Sequence, residues 1–139
     1  KKKKIIFKKK ESGDFKGIVI AKRKFPPEGY ALPGGFVEVG ETVEETVIRE
    51  VLEETHLHVE DPKFLGVFSD PKRDPRRHTA SVVYTGRARG HFTFGDDTSK
   101  VEVVHPKELI QKKDQYHFAF DHRDIVEKYC EESEAKRCQ

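Results

Sequence analysis

Residues 42–55, TVEETVIREVLEET, contain neither Gly nor Pro and carry Val43, Val47 and Val51, flanked by Ile48 and Leu52, at helical spacing. Any fold of this chain must seat that helix through its apolar stripe. At about 100° per residue, Glu50, Glu53 and Glu54 stand at i, i+3 and i+4, so their carboxylates share one face of the helix. Like charges at this spacing cost an isolated helix about 0.2–0.5 kcal/mol per pair, and the fold has to neutralise them. A solvated glutamate face is one solution. A hard divalent cation is another, because Mg²⁺ is held by a few carboxylates while it keeps waters and bridges substrate phosphates.

The rest of the chain reads as short strands around this helix, a mixed α and β pattern. Strands are expected at Ile5–Phe7 and Ile18–Ala21, paired across Glu11-Ser12-Gly13-Asp14, and at Phe64–Ser69, Ala80–Tyr84 and Val101–Val104. A second helix is expected from Asp121, as its cap, to about Cys138. With 139 residues and 35% apolar content, the chain is expected to form one domain over residues 1–139. The net charge of +2 conceals an asymmetry: residues 1–10, KKKKIIFKKK, hold seven lysines, and the remainder has 20 basic against 25 acidic side chains. Seven lysines with a single aromatic, Phe7, among them read as an N-terminal strand or solvated strand flank, or an expression artefact, dispensable for activity, and a nucleic-acid partner is not expected. The longest apolar run, Ile18–Ala21, is too short to cross a membrane. Cys130 and Cys138 exclude a disulfide framework and suit a reducing cytoplasmic setting, and the lack of any Met fits a chain incomplete at its start.

Before the helix, Leu32-Pro33-Gly34-Gly35-Phe36 forms a turn whose glycines let backbone approach an ion or a phosphate. Together, GGFVEVGETVEETVIREVLEETHL places Gly35, Glu41, Arg49, Glu50, Glu53 and Glu54 at the spacing of the Nudix box, with Val51 and Leu57 in its apolar places. The chain therefore resembles the Nudix hydrolases. His56 stands where that box ends in Gly. A Cβ in the left-handed conformation costs about 1 kcal/mol, and His is among the residue types enriched there, so a stability cost without loss of function is expected.

The resemblance implies a Nudix-type α/β/α sandwich around a mixed sheet, and hydrolysis of a nucleoside diphosphate linked to another group with Mg²⁺ or Mn²⁺ as cofactor. It implies Glu50, Glu53, Glu54 and the Gly34 carbonyl as metal ligands, Arg49 and Glu41 as supports of the carboxylate network, and Glu53 as the group that activates water. Acids beyond the box complete such sites; Glu102 and Asp96-Asp97 are the candidates, with an ordinary loop acid the alternative for each.

Two further segments narrow the substrate. Residues 69–78, SDPKRDPRRH, and Ala119-Phe120-Asp121-His122-Arg123 resemble the short prokaryotic ADP-ribose pyrophosphatase branch, whose members are often homodimers. Asp70–His78 holds four basic and two acidic residues and is restrained by Pro71 and Pro75, which suits an anionic ligand. Arg73 or Arg76 can grip a phosphate in bidentate fashion, and Asp74 can instead tie the loop internally. Arg23 is another phosphate candidate. Phe120 or Tyr30 offers a ring for adenine, or serves as a core aromatic. A small-molecule nucleotide is thus the expected partner. Three functions stay open: ADP-ribose hydrolysis to AMP and ribose 5-phosphate; hydrolysis of a damaged nucleoside triphosphate, dinucleoside polyphosphate or nucleotide sugar; and nucleotide sensing without turnover.

Overall fold

The computed structural model describes residues 2–11, 14–90 and 98–132, of which 2–11, 14–16 and 98–99 are described as backbone only. Among these residues the chain forms β1 (Lys2–Glu11), β2 (Asp14–Arg23), β3 (Tyr30–Ala31), β4 (Gly34–Phe36), α1 (Val43–Thr55), β5 (His58–Phe68), β6 (Ser81–Arg89), β7 (Thr98–Val104), α2 (Pro106–Gln111) and α3 (His122–Glu132). The strands make one mixed sheet in the order β3-β2-β1-β6-β5, with β4 paired to β1 and β7 to β2. Only the β1–β6 pairing is parallel among those described.

Ile18–Ala21 organises the layers. Alternate side chains of a strand leave on opposite faces, and all four of these residues are at most 4% exposed. Ile18 and Ile20 pack with Leu109, Ile125, Val126 and Tyr129 under α2 and α3. Val19 and Ala21 pack with Val47 and Val51 under α1. The sheet is thus covered on both faces, the expected α/β/α sandwich. No helix among the described residues is long and apolar enough to cross a membrane.

The strands that hold Ile5–Phe7 and Ile18–Ala21 pair antiparallel as expected, but in a register that keeps those two segments from facing each other. Lys8–Glu11 faces Asp14–Ile18 across residues 12–13, which lie outside the described set; Ile5–Phe7 runs beside Tyr84–Gly86, and Ile18–Ala21 beside Val104–Val101. The pairing of β2 with β7 begins beside Gly17, where φ is +143° and a Cβ would meet the Val104 carbonyl at 2.8 Å, so only glycine fits. Of the strand or flank expected for the lysine head, the structure gives a strand. Lys2–Lys4 pairs on one side with Gly34–Phe36 and on the other with Ser81–Val83, inside the sheet.

Helix α1 begins one residue later than expected because Thr42 is its cap: the Glu45 amide donates to Thr42 Oγ1 (3.1 Å) while the Glu45 carboxylate accepts from the Thr42 amide (3.0 Å). Its buried residues are Thr46, Val47, Val51 and Thr55, whereas Ile48 and Leu52 are 41% and 38% exposed. The two threonines are tolerated because their hydroxyls donate to the Thr42 and Val51 carbonyls one turn back. His56 closes the helix at φ 62°, with its amide donating to the Leu52 carbonyl, the left-handed cap expected of it. The expected strands at 64–69, 80–84 and 101–104 fall in longer ones, except that Ser69 and Ala80 lie just outside them. Helix α3 is described to Glu132, and the remainder of the expected helix lies outside the described residues. Sequence reasoning missed α2, which the His105 ring caps by accepting from the Lys107 amide.

Two outcomes follow from these contacts. His56→Gly should raise stability by about 1 kcal/mol, read as a higher melting temperature, with the metal-dependent rate unchanged. Deleting residues 1–4 should lower stability by roughly 2 kcal/mol, a fall of several degrees in melting temperature, because β4 and the start of β6 both lose a partner strand.

Candidate active site

Arg49 is the hub of the carboxylate cluster. Its Nε and Nη2 donate to Glu41 at 2.6 and 3.0 Å in a bidentate pair. Nη1 donates to Glu50 (2.7 Å) and Glu53 (3.3 Å), and Nη2 also reaches the Phe36 carbonyl (3.1 Å). One guanidinium therefore gathers three carboxylates from α1 and its approach and ties them to β4. Glu41 is further held by the Thr46 hydroxyl. The Arg49 and Thr46 bonds hold the Glu41 carboxyl at about 2, well below its ordinary 4.5, and Glu41 in turn raises the Arg49 pKa.

The Gly-Gly turn seats the other two glutamates. The Gly34 amide donates to Glu54 at 3.0 Å. Gly35 lies against the Glu50 carboxylate so closely that a Cβ there would collide with it. Glu50 and Glu54 open onto a cavity of about 510 Å³ that also takes in Gly34, Phe36, Arg23 and Arg76. Glu53 stands outside that lining, 59% exposed, at the end of the Arg49 network. An acidic floor from α1 and a basic rim from β2 and the 69–79 loop thus share one opening.

The rim is built by packing of the 69–79 loop. Asp74, only 5% exposed, accepts from the Arg76 amide and from its Nε and Nη2 at 2.9–3.0 Å, so the internal tie anticipated for Asp74 fastens Arg76. The expectation that Arg73 meets a phosphate is corrected. Its side chain is 3% exposed; it donates to both Asp121 oxygens (2.8 and 2.7 Å), the Thr79 carbonyl and Ser81 Oγ, so it pins the loop to the start of α3. Asp121 accordingly serves Arg73 with its carboxylate and the helix only through its carbonyl. Arg77 lies over the Phe36 ring at 5.2 Å, and Arg23 and Arg76 each lie over the Phe120 ring at 5.0 Å.

Glu102 does not join the cluster. It pairs across the sheet with Ile20, so it projects on the α2–α3 face, where it accepts from Tyr30 Oη at 2.5 Å. The pleat thereby places it opposite α1. Tyr30 is 8% exposed, packs on Tyr116, and is the core aromatic of the two alternatives; burial, then the Glu102 bond, pushes its phenol up. Asp96-Asp97 lies outside the described residues. His122, part of the Phe120-Asp121-His122 resemblance, is more than a neighbour of the helix cap: it is fully buried and its Nδ1 accepts from the Leu32 amide at 3.1 Å, fastening α3 to the segment before the Gly-Gly turn. Sequence reasoning missed Glu38, which lines the cavity 3.8 Å from Arg49 and had no pattern to mark it.

Residues 5–129 match the NUDIX domain family. The chain belongs to the Nudix family. It is 42% identical over 118 residues to an ADP-ribose pyrophosphatase of Methanocaldococcus jannaschii, covering 84% of this chain and 66% of that one. Among solved structures, the NUDIX domain of Shewanella oneidensis NrtR complexed with ADP ribose superposes with a TM-score of 0.80 at 23% identity, over 94% of this chain and 85% of that one, a likeness of fold. A MutT/nudix family protein from Enterococcus faecalis does so at 0.76 and 27% identity, over 91% and 59%. The chain spans two thirds or less of the length of the curated relatives it matches. For this Nudix chain, the depressed Glu41 pKa carries a consequence for stability. Glu41 contributes stability that is present above about pH 4.5 and is lost as pH falls towards about 2. Glu41→Gln should flatten that part of the pH dependence, measured by thermal melts from pH 7 to pH 2.

Proposed function

We propose that this Nudix chain hydrolyses the diphosphate of a nucleotide linked to another group, with Mg²⁺ or Mn²⁺, and that ADP-ribose is its substrate. The observation that carries the reading is the single cavity in which Glu50 and Glu54 face Arg23 and Arg76. Carboxylates suit hard cations and guanidiniums suit phosphate, so floor and rim match the two parts of a metal-bound diphosphate. The 42% identity to an ADP-ribose pyrophosphatase supports the choice of substrate.

Glu50, Glu53, Glu54 and the Gly34 carbonyl would hold the cation. The donor set fits: all are oxygens, and the missing Cβ of Gly35 leaves room for the Glu50 carboxylate. Among the described residues no three His, Cys, Asp or Glu side chains already surround one point. Glu50 and Glu53 now accept from Arg49 and would turn part of their oxygens to the ion. When bound, the cation neutralises phosphate charge and makes water more acidic. Arg49 and Glu41 keep the carboxylates in place, Arg76 and Arg23 bind phosphate oxygens, and Glu53 accepts the proton of the attacking water. The water oxygen joins one phosphorus as the bridging P–O bond breaks, giving AMP and ribose 5-phosphate.

With Mg²⁺, ADP-ribose should turn over faster than nucleoside triphosphates, dinucleoside polyphosphates and nucleotide sugars. Glu53→Gln should lower kcat by about 10²-fold or more while substrate still binds. Product analysis in ¹⁸O-water identifies the phosphorus attacked. Equal rates across the panel would defeat the substrate assignment, and tight binding with no turnover by the unaltered chain would mark a sensor instead.

A further inference from the structure

Phe120 combines three features that the proposed chemistry leaves unused. It is a bulky aromatic at φ 57°, a conformation in which such residues are outliers. Its neighbours hold it there: the Ala119 amide donates to the Tyr30 carbonyl (2.8 Å), the His122 amide to the Ala119 carbonyl (3.4 Å), and the buried His122 ring accepts from Leu32. Its ring also engages two guanidiniums, those of Arg23 and Arg76, each centred 5.0 Å from the ring centroid. The two arginines belong to segments more than 50 residues apart in sequence, and both line the cavity.

Two like charges drawn towards one opening repel each other. Arg23 donates to the carbonyls of Phe25 and Pro27, and Arg76 donates to Asp74. The electron-rich face of an aromatic ring attracts a guanidinium without supplying a negative charge that would compete with a phosphate. Arg76 Nη1 carries no hydrogen bond among the described residues.

We propose that Phe120 is a positioning residue: its ring holds the Arg23 and Arg76 guanidiniums together at the cavity rim, so that both meet the diphosphate of the substrate. This assignment rests on the diphosphate reading of the cavity but not on ADP-ribose as the compound. It replaces adenine stacking as the role of the Phe120 ring, which two cations already engage. The strained backbone is the cost of placing a ring between the two segments.

The test is calorimetric titration of methylenediphosphonate, a diphosphate that cannot be hydrolysed at its bridge, onto the full chain at fixed Mg²⁺. Phe120→Leu removes the ring's π-face, Phe120→Asn removes the ring while easing the left-handed backbone, and Phe120→Tyr keeps the π-face. Both ringless variants should weaken Kd about five- to thirty-fold, and Phe120→Tyr should stay within about twofold of the unaltered chain. Arg76→Ala should weaken binding in the unaltered chain and add little once the ring is gone. With ADP-ribose, the ringless variants should raise KM by a similar factor and change kcat less than about threefold. If Phe120→Leu does not melt cooperatively, Phe120→Asn carries the comparison. Unchanged affinity in the ringless variants, fully additive losses with Arg76→Ala, or no binding of methylenediphosphonate by the unaltered chain would each overturn the proposal. Loss of that affinity in a chain that does not turn over ADP-ribose would support the clamp and defeat only the substrate assignment.

Discussion

The arrangement of the site depends on one guanidinium. Three carboxylates of α1 stand on a single helix face, and Arg49, from the same helix, meets Glu50 and Glu53 while its other edge closes on Glu41. A lysine could offset the charge but could not make these bonds together, because its ammonium is a point and the guanidinium is a planar fork. Through the Phe36 carbonyl the same group fixes the helix to β4, and so fixes the glutamates relative to the Gly-Gly turn. The capping box at Thr42 and Glu45 and the left-handed His56 settle where that helix begins and ends.

Around this hub the sheet decides which side chains can take part. Because β2 buries both faces, α1 must lie on one side and α2 and α3 on the other. The α1 side carries the acids. The basic rim comes from the strand end at Arg23 and from the 69–79 loop, which reaches the cavity only because Arg73 and Asp121 bolt it to α3. Two charge pairs within the loop region therefore have separate structural effects: Arg73 with Asp121 is nearly buried and sets the loop's place, while Arg76 with Asp74 leaves its guanidinium 41% exposed at the opening. A buried pair of the first kind loses several kcal/mol if one partner is removed, because the other charge is left uncompensated.

The proposed hydrolase would thus keep its negative and positive groups on different elements, joined only by tertiary contacts. That separation suits a ligand made of a cation and a diphosphate, since acids and guanidiniums line one cavity from different elements. Phe120 fits the same logic, attracting two cations without adding an acid to the rim.

Much of the acidic half was legible in the linear chain because it is local. Gly35 through Leu57 is one turn and one helix, and helical geometry alone puts Glu50, Glu53 and Glu54 on one face. The left-handed His56 follows from local pattern in the same way, whereas the cap at Thr42 and the two-sided burial of Ile18–Ala21 appeared only with the structure. The basic half was legible only in part: Arg23 and Arg76 were named and line the cavity, but the choice between Arg73 and Arg76 depends on distant partners, since Arg73 turns inward to Asp121, 48 residues away, and Arg76 turns outward. Glu102 went astray for a related reason, since strand parity sets its face only once its pairing with Ile20 is known. The lysine head read as a strand or a solvated flank because its charge suggested solvent, and pairing on two edges draws its backbone into the sheet. Sequence alone determined the helix, its carboxylate row and the family of the chain; tertiary structure decided which charges meet, because long-range strand register and loop packing are not encoded in any one segment.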